Sequence, residues 1–272
     1  MTRLSTLFQH NRTSQRKTLA AFITAGDPTP EATLTLMHAL VSAGADIIEL
    51  GVPFSDPAAD GSIIQAAGER ALRNGTNMQT VLSTVALFRK TDNVTPVVLM
   101  GYLNPIEIMG YDVFAQQAAK VGVDGVITVD MPPEEGEALV HALKSNDLDS
   151  IFLLAPTTAP ERIKSICDIA SGFVYYVSLK GVTGSASLNT TEVAERLSMV
   201  REYTDLPVGV GFGIRDANSA KQVATEADAV VVGSAIVQRI AENLEDVDAA
   251  VICVSEFVTE LRQAIDSVKW SE

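Results

Sequence analysis

Two carboxylates stand out by where they fall. Glu49 closes the apolar run Ile47, Ile48, and on a strand it shares a face with Ile47 and Gly51, because successive side chains point to opposite sides. If that face opens into a pocket, the carboxylate is partly desolvated. Desolvation raises its pKa toward the range in which one group both gives and takes a proton near neutral pH. A solvated strand-end glutamate is the other reading, and position alone does not separate the two. Asp60 lies just ahead of a helix expected from Ser62. Spacing alone favours a helix cap for it. Asp56, between Ser55 and Pro57, reads as a turn residue.

Glycines mark a second kind of chemistry. Gly211, Phe212, Gly213 lets backbone approach a ligand closely, and Gly233, Ser234 opens a helix. Helix N-termini and glycine turns bind anions through N–H groups without needing a Lys or Arg, although a tight turn explains each glycine singly. Gly181 and Gly184, flanking Thr183, suggest a segment able to move over the site; a long surface loop has the same composition. Metal chemistry finds no ligand set, since His10, His38 and His141 stand apart on helical segments without a His or Cys partner at ligand spacing. No Walker loop occurs, and Gly209, Gly211 and Gly213 lack the third glycine of a dinucleotide fingerprint.

The elements that must position these residues follow from periodicity. Apolar runs recur near 18–23, 46–51, 96–101, 124–129, 149–154, 173–177, 207–211 and 228–232, predicting eight strands buried on both faces. Helical stripes lie between them: Leu34, Met37, Leu40, Val41; Leu139, Val140, Leu143; Ile163, Ile166, Cys167, Ala170. Parallel strands with helical crossovers most economically close into an α/β fold of the (β/α)8 TIM barrel type, because closure removes both sheet edges; an open doubly wound sheet is the rival. Leu4, Leu7 and Phe8 predict an extra N-terminal helix able to plug the barrel bottom, and residues 77–90 an extra helical turn or two before strand three. In such a barrel the site sits at the C-terminal strand ends, which is where Glu49, the Asp60 loop and the loops after strands six, seven and eight fall. The two glycine turns then occupy the places where barrels build a phosphate cup.

Composition narrows the partners. The 272 residues carry a net charge of −14, which argues against nucleic acid or an anionic membrane surface, since both demand clustered Lys and Arg. Cys167 and Cys253 fall inside apolar helical patterns and read as core residues in a reducing cytosol. No secretory h-region and no run of about 18 apolar residues is present, so an untargeted cytoplasmic protein is expected. Nothing in the sequence marks a linker, so residues 1–272 are expected to form one barrel domain.

The loops resemble those of the tryptophan synthase alpha subunit family, over essentially the whole chain. The strings that carry the resemblance are Phe22, Ile23, Thr24, Ala25, Gly26, Asp27, Pro28; Glu49 through Pro57, continuing to Asp60, Gly61 and Gln65; Leu99, Met100, Gly101, Tyr102, Leu103, Asn104, Pro105; Asp130, Met131, Pro132, Pro133, Glu134, Glu135; and Gly181, Val182, Thr183, Gly184. The resemblance implies retro-aldol cleavage of indole-3-glycerol phosphate to indole and glyceraldehyde 3-phosphate, with no cofactor in this chain. It maps the general acid/base onto Glu49 and the group that accepts the indole N–H onto Asp60, against the cap reading. It further implies an indole slot of Phe22, Met100, Ile127 and Phe212, Tyr175 near the reacting glycerol, phosphate held by Gly184, Gly213, Gly233 and Ser234, and Thr183 meeting Asp60 when the lid closes.

Two departures from the family pattern are Ser62, where proline is usual, and Leu179, Lys180, where many relatives have Arg and Ala. They bear on lid order and partner coupling rather than on the carboxylates. The family also implies a beta subunit that uses pyridoxal phosphate to join indole to serine in an α2β2 complex. Indole passes between the subunits through a tunnel, and Pro53, Asp56 and Asn104 fall on the contact face. An autonomous indole-glycerol phosphate lyase is the nearest alternative. A catalytically silent regulatory barrel and a sugar-phosphate epimerase are more distant ones.

Overall fold

The computed structural model describes residues 2–177, 190–211 and 213–268. Eight parallel strands close on themselves in sequence order: β1 (Thr18–Thr24), β2 (Ile47–Gly51), β3 (Val97–Gly101), β4 (Gly125–Thr128), β5 (Asp149–Leu154), β6 (Val174–Val177), β7 (Val208–Gly211) and β8 (Ala229–Val232). Closure comes from β8 pairing with β1, Ala20 opposite Val231. The barrel expected from periodicity is therefore present, and the open sheet is not. Because both faces of the strands are covered, they are largely apolar rather than alternating.

The two faces bury different things. Leu19, Ala21 and Ile23 of β1 and Ile48 and Leu50 of β2 face outward into the layer shared with the helices. Ala20, Ile47, Val98, Ile127, Ile151 and Phe173 fill the barrel interior. Glu49 follows Ile47 on that interior face, one layer closer to the C-terminal end.

The bottom is closed by α1 (Arg3–Thr13), capped by Thr2, whose hydroxyl accepts the Ser5 N–H at 3.2 Å. Leu4 is wholly buried in the interior cluster, and the Phe8 ring lies 5.8 Å from that of Phe173. A Cβ at Gly125 or Gly172 would come within 3.3 Å of a Leu4 methyl, so both strand-end glycines leave room for the plug. Asp124 anchors this end: it accepts from Arg3 at 2.9 Å, from Arg89 at 2.7 Å and from the Val97 N–H at 2.8 Å. The ions are thus paired and hydrogen-bonded, as burial demands.

At the other end, β2 runs through a long loop to α3 (Ser62–Arg73), which is followed by α4 (Met78–Phe88), a helix of about three turns where one or two were expected within 77–90. After β3 come α5 (Leu103–Met109) and α6 (Tyr111–Val121); α7 (Glu137–Lys144) and α8 (Pro160–Ile169) follow β4 and β5. The remaining helices are α9 (Thr190–Arg201), α10 (Ala217–Glu226), α11 (Ser234–Ala241) and α12 (Val247–Asp266). Cys167 is buried on α8, whereas Cys253 on α12 is only half-buried, so the core placement expected of both holds fully for the first alone. Among the described residues no helix is long and apolar enough to cross a membrane.

Candidate active site at the C-terminal mouth of the barrel

A cavity of about 1200 Å³ opens at the C-terminal strand ends, lined among others by Phe22, Glu49, Asp60, Met100, Tyr175, Gly213, Gly233 and Ser234. Glu49 stands in register between Phe22 of β1 and Val98 of β3. It is 2% exposed, and neither carboxylate oxygen has a hydrogen-bond partner among the described residues. Burial alone pushes its pKa up to about 8. The solvated strand-end reading is therefore excluded. A carboxyl held this way is mostly protonated at pH 7 yet close enough to its midpoint to take a proton back.

Tyr175 on β6 is also buried, and burial followed by the nearby Glu49 charge holds its phenol well above its ordinary range, hence neutral. Its hydroxyl lies where a Cβ on Gly211 would be, at 2.2 Å. A side chain at 211 would displace the phenol from beside the carboxyl.

Asp60 reaches the same cavity by a different route. The N-cap of α3 is Gly61, which offers no side-chain acceptor, so Asp60 does not cap the helix that follows it. Its carboxylate instead takes a hydrogen bond from Tyr102; burial raises its pKa and that bond partly opposes the rise. The Tyr102 oxygen in turn accepts the Ala59 N–H at 2.9 Å, and its ring stacks on Phe54 at 5.2 Å between centroids. Burial pushes the Tyr102 phenol to about 12, so it stays a donor at neutral pH. Gln65 ties the loop down from α3, its amide donating to the Asp60 carbonyl at 2.8 Å and the Pro57 carbonyl at 3.2 Å. Tyr102 and Gln65 lie inside the family-like strings, but neither is expected from the sequence to serve the site. The signal for Tyr102 is its place one residue past the end of β3.

Apolar walls flank the carboxyls in the cavity. Phe22, 5% exposed, packs with Ile63, Ile64 and Met100, and a Cβ on Gly51 would fall 2.6 Å from its ring. Ile127 pairs with Met100 across β3 and β4 and is wholly buried in the interior layer, while Thr128 and Val129 beside it line the cavity.

Opposite lies a concentration of backbone donors. Gly233 is the N-cap of α11 and likewise offers no side-chain acceptor. The N–H groups of Ile236 and Val237 turn back to its carbonyl at 2.8 and 3.1 Å. Those of Ser234 and Ala235 have no acceptor within the helix and sit at its positive end. Gly213, across the cavity rim, has φ of +78°, a left-handed conformation that favours glycine. A partly desolvated oxyanion fits this corner. Thr183, Gly184 and Phe212, the remaining expected site residues, lie outside the described residues. Among the described residues no three His, Cys, Asp or Glu gather as a metal site.

A buried carboxyl with a raised pKa, a second carboxylate, apolar walls and a corner of backbone donors share one barrel mouth, which suits proton transfer on an apolar substrate that carries an anionic group. Known proteins agree with that geometry. The sequence profile of the family Tryptophan synthase alpha chain matches residues 8–266. The tryptophan synthase alpha chain of Thioalkalivibrio sulfidiphilus is 60% identical over 266 residues, covering 98% of this chain and 100% of the relative. That of Nitrosococcus oceani is 56% identical over 269 residues, with 99% of each covered. The crystal structure of tryptophan synthase subunit alpha from Legionella pneumophila superposes with a TM-score of 0.93 at 45% identity, covering 98% of this chain and 100% of that one. On this likeness along its full length the chain belongs to the tryptophan synthase alpha chain family, the lyases that cleave indole-3-glycerol phosphate.

Proposed function

We propose that Glu49 is the proton donor and acceptor of this cleavage and Asp60 the group that holds the indole nitrogen. The observation that carries the reading is Glu49 itself, a carboxyl buried on the cavity wall with both oxygens unpartnered among the described residues and a pKa near 8. A buried polar group without a partner is costly, and substrate supplies the partner.

The neutral Glu49 carboxyl gives its proton to the indole ring carbon that bears the glycerol substituent. Positive charge develops at the ring nitrogen, and Asp60, accepting the N–H, stabilises it. The bond between that ring carbon and the glycerol carbon then breaks, its electron pair returning to the ring to regenerate indole. The glycerol hydroxyl on the departing carbon loses its proton and becomes the aldehyde of glyceraldehyde 3-phosphate. Glu49, now a carboxylate, takes that proton and the cycle closes. Phe22, Met100, Ile127 and Phe212 form the slot for the ring. Tyr175 faces the reacting carbons. Gly213, Gly233, Ser234 and, from the lid, Gly184 hold the phosphate, and Thr183 meets Asp60 on closure, excluding water from the protonated ring.

Residues 1–272 work as one barrel domain in the cytoplasm and carry no cofactor of their own. Its partner is a beta subunit holding pyridoxal phosphate, in an α2β2 complex through which indole passes directly; Pro53, Asp56 and Asn104 lie on the contact face. Indole release from indole-3-glycerol phosphate by the purified protein, with and without beta subunit, tests this. Slow release that rises strongly with partner supports the alpha-subunit reading, and fast release independent of partner favours the autonomous lyase.

A further inference from the structure

The protein has a net charge of −14, and its substrate and one product are phosphate esters. Of the acids behind that charge, Asp60, Asp130, Glu192 and Asp216 line the cavity. Backbone donors at the α11 start hold an anion at contact range but do little to draw one in against a negative surface. Among the described residues three arginines line the cavity. Two are committed: Arg162 pairs with Glu134 at 3.1 Å, and Arg239 lies 3.4 Å over the Phe257 ring while donating to the Ala235 carbonyl at 2.7 Å.

Arg215 differs. It stands two residues beyond Gly213 and lines the cavity, with its side chain 77% exposed. Its one ion-pair contact among the described residues is its neighbour Asp216, at 3.9 Å. That carboxylate is already engaged as the cap of α10, accepting the Ser219 N–H at 2.8 Å and the Ser219 hydroxyl at 2.7 Å. The loop itself is fixed, since the Arg215 N–H donates to the Ser219 hydroxyl at 3.1 Å. A cation on a fixed base with an uncommitted head therefore lines the same cavity as Gly213, Gly233 and Ser234.

We infer that Arg215 recruits the phosphate group, selecting anionic glycerol-phosphate substrates at the mouth of the cavity while taking no part in the bond-breaking step. The inference rests on the reading that phosphate binds at Gly213, Gly233 and Ser234. Because the phosphate carries the same charge in ground and transition states, the interaction is uniform and appears in KM and not in kcat.

The reverse reaction separates the charged reactant from the neutral one. Condensation of indole with glyceraldehyde 3-phosphate is followed by steady-state kinetics at low and high NaCl for the full-length protein, Arg215→Ala, Arg215→Lys and Arg215→Glu. The expected result is a KM for glyceraldehyde 3-phosphate raised about fivefold in Arg215→Ala and more in Arg215→Glu, close to wild type in Arg215→Lys, and less dependent on salt in the first two. The KM for indole and kcat stay within about twofold. A KM for glyceraldehyde 3-phosphate that is unchanged in Arg215→Ala, or one that rises together with the KM for indole, overturns the inference. Ser234→Asp, which puts a carboxylate into the anion corner, is the control. If it weakens glyceraldehyde 3-phosphate while Arg215→Ala does not, recruitment by Arg215 fails alone; if neither matters, the phosphate corner fails with it.

Discussion

At the scale of single residues the proposed chemistry rests on a carboxyl kept out of water. Glu49 titrates near 8 in the folded protein against 4.5 as a free group, so the folded state holds the extra proton between those values. Stability therefore falls as pH rises through that window and levels off above the folded pKa. At pH 7 keeping the group neutral costs about 3 kcal/mol, an upper figure for a fully buried site. Glu49→Gln is accordingly expected to raise the unfolding free energy at pH 7 by up to that amount, with the gain vanishing near pH 4. Urea melts at the two pH values check this. In catalysis the same pKa makes kcat/KM fall above about pH 8 as the donor is lost, and a pH–rate profile lacking that limb would count against Glu49 as the acid. Tyr102→Phe removes the hydrogen bond that favours the Asp60 carboxylate. It is expected to lower kcat/KM about tenfold and move its acid limb to higher pH, since a bond to a charged group contributes about 1.5–3 kcal/mol.

At the scale of elements the sequence was legible wherever periodicity carried the signal. The β strands were readable because strands buried on both faces are continuous apolar runs. Alternation along β2 put Glu49 on the face of Ile47, which is the interior face. Leu4 and Phe8 announced α1, and both lie in the interior cluster. Asp60 was misread by spacing because its partner is Tyr102, distant in sequence on the end of another strand, and only barrel closure brings the β2 and β3 loops together. Local pattern saw an acid before a helix; the cap position went to Gly61. Tyr102 escaped for the same reason, and only the family resemblance carried Asp60 into the site. The separation of roles along the barrel axis is testable. Leu4→Ala, at the plug, is expected to cost about 2–5 kcal/mol in denaturant unfolding while leaving kcat/KM near wild type below the melting transition, because the site lies at the opposite end.

At the scale of the whole molecule, a net charge of −14 leaves small molecules and proteins as the expected partners. Ile108 on α5 is 80% exposed, on the helix that also holds Asn104 and directly follows Tyr102. A large apolar residue so exposed fits a protein contact. Ile108→Glu is expected to weaken beta-subunit binding about tenfold or more, read by titration, without altering indole release by the isolated protein. The barrel thus divides its ends: ions and a plug fix the bottom, while the top carries the carboxyls, the anion corner and the proposed partner face.

The most direct test of the account is the rate of indole release from indole-3-glycerol phosphate by Glu49→Gln, measured with saturating beta subunit beside the unaltered protein. Glutamine keeps the shape and removes the titrating proton, so release is expected to fall by about two to four orders of magnitude with beta-subunit affinity preserved. Release within about threefold of the unaltered protein would contradict the assignment of proton transfer to Glu49.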